Sequence, residues 1–204
     1  MAKLKKTKNE LKAQREALRR YHRFLPTLEL KKEQLQREVR RVETALREHA
    51  AQEEALLDRL RPWVKLLSSL PELGAYVRIE ALDQETANIA GVTVPVLTGV
   101  RFARPDIDYF ATPAWLEDAI AALSELTSIR AEQRVLHRRK ELLGEELRMT
   151  AQRVNLFEKV MIPRTVDNIR VVRIALGDAQ TAAVSRAKLA KSKTVSVLSG
   201  KSSA

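Results

Sequence analysis

Apolar residues recur along the first third of the chain at the spacing of a coiled coil. Leucines stand seven residues apart at Leu4, Leu11, Leu18 and Leu25. After Pro26 we expect a new register, in which apolar positions alternate at steps of three and four residues. Its two rows are Leu28, Leu35, Val42 and His49, and Val39, Leu46, Glu53, Leu60 and Leu67. The pattern predicts a long helix whose apolar seam contains two polar residues, His49 and Glu53.

The ends of this helix carry sequence signals of their own. Thr7 stands three residues before Glu10, the spacing of a capping box in which each residue satisfies a backbone N–H of the other. Towards the other end, Pro62 can bend the helix, and the stretch "SSLPELG" favours termination. The first helix is therefore predicted to run from Thr7 to about Ser68.

The character of the chain changes in its middle. "YVRIE" (Tyr76 to Glu80) alternates like a strand, and "NIAGVTVPVL" (Asn88 to Leu97) is rich in β-branched residues. With the polar stretch "ALDQETA" between them, these two runs predict a β-hairpin. Pro95 cannot donate a backbone hydrogen bond, so its strand is expected at an edge. The following "RFARPDIDYFA" is predicted to be a loop.

A second long helix is predicted from Thr112, with Pro113 at its first helical position. Its two seam rows are Ile129, Leu136, Leu143, Thr150 and Phe157, and Lys140, Leu147, Val154 and Met161. Pro163 interrupts this pattern, although a proline in a helix interior costs about 3 kcal/mol. Beyond it the apolar spacing is expected to resume with Val166, Ile169, Val172, Ile174 and Leu176.

Together these elements predict a mainly α fold, a long antiparallel two-helix coiled coil with a small central β-hairpin insertion. The predicted divisions are an N-terminal coiled-coil helix (1–68), a central hairpin and loop region (69–111) and a C-terminal coiled-coil helix (112–186). The basic, Ser- and Lys-rich tail (187–204) is expected to be disordered. Helices of sixty to seventy residues would each be about 100 Å long, so two of them form a rod rather than a compact domain.

Composition and charge fit such a rod. Only 4% of the residues are aromatic and 31% are charged, a balance typical of long helices, and the chain has no cysteine. Residues 1–48 carry 15 basic and 7 acidic side chains and residues 130–204 carry 16 and 7, whereas the segment between them is acidic. Such basic ends suit nucleic acid, an acidic protein socket or solvated helical faces. Neither a signal peptide nor a membrane span is predicted.

No motif in the sequence points to catalysis. The chain has no phosphate-binding glycine loop and no HExxH pair, and His22, His49 and His137 are far apart on predicted helices. Glu145 and Glu146 are adjacent and cannot flank a bond as acid and base. We therefore expect no catalytic, cofactor-binding or metal-binding residue in this chain. Nucleic-acid binding is also disfavoured, because the basic residues alternate with Glu and no aromatics interleave with them.

Three stretches resemble the D subunit of the V-type and A-type rotary ATPases. They are "TKNEL" at the start of the first helix, "NIAGVTVP" in the hairpin and "RVNLFEKVMIPR" in the closing helix. The resemblance spans about Thr7 to Lys193. It implies a noncatalytic central rotor shaft that couples ATP hydrolysis or synthesis to ion translocation. A coiled-coil scaffold or tether is the alternative; it would gain nothing from the hairpin.

The resemblance also implies partners and surfaces. The partners would be the ring of A and B subunits, the F subunit beside the shaft, and a linker subunit of the membrane rotor. The chain itself would be cytoplasmic, at the periphery of a membrane-bound complex, without direct contact with nucleic acid or membrane insertion. The residues expected to face the ring are Arg148, Arg153, Val160, Met161, Ile162, Pro163, Arg164, Arg170 and Arg173. Those expected to dock a partner at the hairpin are Tyr76, Val77, Ile79, Ile89, Val92, Val94 and Pro95.

Overall fold

A computed structural model describes residues 4–67, 73–103 and 112–200 of the chain. The fold is mainly helical with one small antiparallel sheet, which confirms the predicted fold class. The elements in chain order are α1 (Lys8–Leu60), a 3-10 turn (Arg61–Trp63), α2 (Val64–Leu67), α3 (Leu73–Tyr76), β1 (Ile79–Ile89), β2 (Val92–Phe102), α4 (Leu116–Leu156), a π-helical turn (Phe157–Met161) and α5 (Ile162–Gly200).

Helix α1 begins as the sequence predicts but does not change register at Pro26. The Thr7 hydroxyl accepts a hydrogen bond from the Glu10 backbone N–H at 3.3 Å, whereas the Glu10 carboxylate accepts one from the Gln14 side chain instead of turning back. Pro26 is exposed and lies inside the continuous helix. The predicted rows after Pro26 hold, but the predicted change of register there is wrong, because the leucine row before Pro26 continues in seven-residue steps through Lys32 into Val39 and Leu46.

The C-terminal end of α1 and the N-terminal end of α4 both differ from prediction. Helix α1 gives way at Arg61 to a 3-10 turn that contains Pro62, and its predicted end at Ser68 lies outside the described residues. Helix α4 begins at Leu116 rather than at Thr112. A tighter turn precedes it, in which the Leu116 N–H donates to the Pro113 carbonyl at 3.0 Å. Pro113 is the first residue of that turn and takes part through its carbonyl, so its missing N–H costs nothing there.

The predicted β-hairpin is present, but its turn lies within the predicted second strand. Ala90 and Gly91 have positive φ angles of 51° and 82°, as a two-residue turn of the right twist requires, and the Gly91 N–H donates to the Asn88 side chain at 3.0 Å. The stretch predicted as a polar connection, 81–87, belongs to β1. Its polar residues are tolerated because one face of this sheet is exposed. The predicted loop at 101–111 lies mostly outside the described residues.

The chain divides into two compact units. The hairpin unit comprises residues 30–151, and the terminal unit comprises residues 1–29 and 152–204. In the hairpin unit, α1 and α4 run antiparallel and β2 packs on both of them. The centre of its core is four buried side chains: Leu35 and Val42 of α1, Val94 of β2 and Leu143 of α4. Leu35, Val42 and Leu143 are positions of the predicted seam.

The closing helix carries its proline next to a π-helical turn. The Ile162 N–H donates to the Phe157 carbonyl, five residues earlier, so one extra residue is accommodated just before Pro163. A row that would continue from Phe157 to 164 and 171 instead continues to the buried Thr165 and Val172. Of the expected seam positions after Pro163, Val172 is buried, whereas Val166 and Ile174 are exposed, so the expectation for those two is wrong.

Helix α5 also extends further than expected. It runs to Gly200, so residues 187–200, predicted to be disordered, are helical. Ala, Leu and Lys are good helix formers, and together they outweigh the weaker helix propensity of the serines. From Gly177 to Lys193 every residue of α5 is exposed.

Candidate partner-binding surfaces

The hairpin unit has a seam in which charged residues pair across the two helices. Lys31 of α1 lies 2.6 Å from Glu146 of α4, Glu43 lies 2.9 Å from Lys140, and Arg59 lies 3.5 Å from Glu125. The pKa of the Glu43 carboxyl is lowered, first by its hydrogen bond with Lys140. The later a residue stands on α1, the earlier its partner stands on α4, as an antiparallel arrangement of the two helices requires.

The two polar residues of the predicted seam both face polar side chains of α4. Glu53 accepts hydrogen bonds from Arg130 at 2.8 Å and from Gln133 at 2.9 Å. His49 Nδ1 lies 3.3 Å from a Glu132 carboxylate oxygen, although the alignment is not that of a hydrogen bond. Glu53 therefore interrupts the apolar seam without losing its polar contacts, and it ties α1 to α4.

Glu53 should make the stability of this unit depend on pH. The hydrogen bonds from Arg130 and then Gln133 lower its folded-state pKa below the ordinary value of about 4.3. A lowered folded pKa adds stability above the unfolded pKa, and that stability is lost as pH falls through the folded value. Wild type should therefore exceed Glu53→Gln in free energy of unfolding at pH 7, and the difference should shrink below about pH 4.

Urea unfolding of both proteins at pH 7 and at pH 3.5 measures this difference. Glu54→Gln, a change at the exposed neighbouring residue, is the matched control and should leave the pH dependence of wild type intact. A difference between wild type and Glu53→Gln that is equal at both pH values would contradict the prediction.

In the terminal unit, α1 packs against the residues that follow α4. The rings of Tyr21 and Phe157 lie with their centroids 5.3 Å apart, and the Asn168 amide donates to Gln14 at 3.4 Å. Val154, Thr165 and Val172 are buried in this unit. The closing helix therefore presents one face inwards on both sides of the π-helical turn.

The residues expected to face a surrounding ring are mostly exposed. Five of them are arginines on the outside of their helices: Arg148, Arg153, Arg164, Arg170 and Arg173. Val160 and Pro163 are exposed as well, whereas Met161 and Ile162 are half-buried. The consecutive residues of "VMIP" thus divide between the outer surface and the seam.

Sequence reasoning missed an apolar face on the outside of α5. Val166, Val171, Ile174, Val184 and Leu189 are all exposed, with Ile174 at 58% and Leu189 at 62%. At 100° per residue these positions fall within one arc, opposite the buried Thr165 and Val172. The sequence spacing placed Val166 and Ile174 in the seam, and no sequence signal apart from the proline marks the π-helical turn that sets the register of α5.

Some of the hairpin residues expected to dock a partner are buried in the core, and others are at least partly exposed. Val94 is fully buried against the helices, so the expectation that it docks a partner is wrong. Ile89 and Val92 pack beside it and are half-buried. Tyr76, Val77 and Pro95 are also half-buried, and Ile79 is exposed. The inner face of the hairpin is thus core, because a two-stranded sheet needs a partner layer to be stable.

A groove between the hairpin and α4 is a second feature that sequence reasoning missed. It has a volume of about 420 Å³ and is lined by Ile79, Leu82, Gln84 and Pro95 of the hairpin and by Thr127, Arg130, Ala131, Arg134, Val135 and Arg138 of α4. The regular spacing of its three arginines, at every fourth residue, could have been read from the sequence.

The described residues include, in the hairpin unit, an antiparallel pair of helices that carries a β-hairpin and charged outer surfaces. Within them no helix is long and apolar enough to cross a membrane. A sequence model of the family described as the D subunit of ATP synthase matches residues 10–192. The chain belongs to this family of ATP synthase D subunits.

Relatives named as D subunits of V-type ATP synthases resemble the chain over nearly its whole length. The protein of that name from Borreliella burgdorferi is 38% identical over 195 residues, which cover 96% of each chain. Those from Chlamydia muridarum and Chlamydia trachomatis serovar L2 are 36% and 35% identical, and each alignment covers 93% of this chain and 95% of the relative.

Proposed function

We propose that this chain is a noncatalytic central-stalk subunit of a V-type ATP synthase. It acts as the rotor shaft that couples ATP hydrolysis or synthesis in the catalytic ring to ion translocation through the membrane rotor. Its membership of the D-subunit family carries the proposal. The long antiparallel seam supports it, because two paired helices can transmit a torque that a single helix cannot.

The proposed partners are the A and B subunits of the ring, the F subunit beside the shaft and a linker subunit of the membrane rotor. The chain lies in the cytoplasm, at the periphery of the membrane-bound complex. Its terminal unit faces the ring through Arg153, Arg164, Arg170 and Arg173 and through the outer apolar face of α5, and Arg148 of the hairpin unit also faces the ring. Exposed ion pairs contribute only about 0–1 kcal/mol each, which suits contacts that form and break during rotation.

Neutralising three of these arginines tests the assignment. In the triple variant Arg164→Gln, Arg170→Gln and Arg173→Gln we expect about tenfold weaker assembly with the A and B ring at low salt. Three exposed charge contacts of a few tenths to 1 kcal/mol together give a change of that size. Raising the ionic strength should weaken wild type towards the triple variant, because salt screens exposed charges.

Assembly is measured by co-purification of the tagged chain with A, B and F subunits over a range of salt concentrations. The matched control is Arg40→Gln, Arg47→Gln and Arg78→Gln, three exposed arginines of the hairpin unit. Failure of wild type to join the complex would refute the proposed function. Equal assembly by both triple variants would refute only the role of the arginines.

A further inference from the structure

The groove between the hairpin and α4 has an apolar floor that the chain leaves open. Ile79 and Leu82 of β1 line it and are 37% and 39% exposed. Pro95 of β2 and Val135 of α4 complete the apolar lining. Large apolar side chains around a concavity are the usual composition of a binding site rather than of a solvated surface.

One side of the groove is a row of arginines. Arg130, Arg134 and Arg138 follow each other at every fourth residue of α4, which places them about 6 Å apart along the helix. Arg130 is held by Glu53, and Arg138 lies 3.0 Å from Glu141 of its own helix. Arg134, between them, is exposed and forms no ion pair within the described part of the chain. The centre of the row is therefore an uncompensated positive charge beside an apolar floor.

We propose that this groove binds an acidic segment of a partner subunit. Apolar side chains of that segment occupy the floor formed by Ile79 and Leu82, and a carboxylate at their edge pairs with Arg134. A guanidinium offers a planar pair of donors that matches a carboxylate, and the neighbouring apolar surface excludes water from the pair. The inference rests on the proposed function, since the segment belongs to another subunit of the rotary complex.

Photocrosslinking within the assembled complex identifies the occupant. The photoreactive residue benzoylphenylalanine replaces Leu82 in the full chain, and the control carries it at Leu57, an exposed residue of α1 that does not line the groove. After reconstitution with the other subunits, irradiation and mass spectrometry locate the linked peptide. We expect the Leu82 site to link to a segment with apolar residues flanked by Asp or Glu, and the Leu57 site not to link to that segment.

Charge reversal then tests the role of Arg134. We expect Arg134→Glu to weaken binding of the crosslinked subunit at least tenfold, and Arg134→Lys to retain most of the affinity. The control Arg47→Glu reverses another exposed arginine of the same unit and should bind like wild type. The circular dichroism spectra and urea midpoints of the variants establish that each one folds.

The outcomes separate the two proposals. If wild type assembles but Leu82 links to no partner, or links to a segment without acidic residues, the groove inference is wrong and the rotor function stands. If Arg134→Glu binds the partner as tightly as wild type, the groove inference is likewise wrong and the rotor function stands. If wild type does not join the complex, the proposed function fails and the groove inference fails with it.

Discussion

Replacing Leu143 by alanine should lower the free energy of unfolding by about 2–5 kcal/mol, the range for truncating a fully buried leucine. Leu143 of α4 has no exposed surface and belongs to the core cluster with Leu35, Val42 and Val94. Its removal leaves a cavity where the two helices and the hairpin meet. A loss of this size is a large part of the stability of a small domain.

Urea unfolding followed by circular dichroism measures the effect. Leu57→Ala is the matched control, because Leu57 is 42% exposed on α1, and it should change the free energy of unfolding by less than about 0.5 kcal/mol. Amide hydrogen exchange should also show faster exchange in β2 of Leu143→Ala. If both variants were equally stable, Leu143 would not be a centre of the core.

Replacing Pro163 by alanine should stabilise α5 and impair coupling. Alanine supplies the missing backbone N–H and removes the ring, which together are worth up to about 3 kcal/mol in a helix interior. The π-helical turn before Pro163 already relieves part of the clash, so we expect a gain of about 1 kcal/mol. If the turn then reverts to α-helix, the seam after it shifts by one residue, and Arg164 and Val171 move towards the places of Thr165 and Val172.

The coupling effect rests on the proposed rotor function. We expect the assembled complex with Pro163→Ala to hydrolyse ATP with less ion transport per ATP than wild type, because the outer face of α5 is rotated relative to the ring. Gly177→Ala is the matched control: it should stabilise α5 by about 1 kcal/mol at an exposed site with open space around it, without touching the turn. If Pro163→Ala is more stable and fully coupled, the proline is only a helix joint.

Heptad spacing predicted the part of the structure that depends on apolar burial. Leu35, Val42, Leu143 and Val154 are buried at the positions where the two rows place them. The polar residues His49 and Glu53 also lie in the seam, but the sequence does not say which α4 residues meet them. That pairing depends on the register between the two helices, which brings together residues 77 and 80 positions apart in the chain.

Features set by backbone geometry were harder to predict. The hairpin turn lies at Ala90 and Gly91 because the chain can adopt positive φ there, whereas composition favoured the polar stretch before it as the turn. The π-helical turn has no side-chain signature, so the positions after Pro163 could not be placed from spacing alone. The groove beside α4 also depends on how the hairpin lies over the helix, which no local pattern specifies.

The ion pairs between α1 and α4 have a mechanical consequence. Glu38 of α1 lies 3.8 Å from Arg139, and Lys31, seven residues earlier, lies 2.6 Å from Glu146. Sliding α1 by one heptad would keep apolar rows in contact, but it would bring Lys31 opposite Arg139 in one direction and Glu38 opposite Glu146 in the other. Like charges then oppose each other in either direction. The helix pair thus resists sliding of α1 along α4. A twist applied at one end of the hairpin unit therefore reaches its other end without slippage between the two helices.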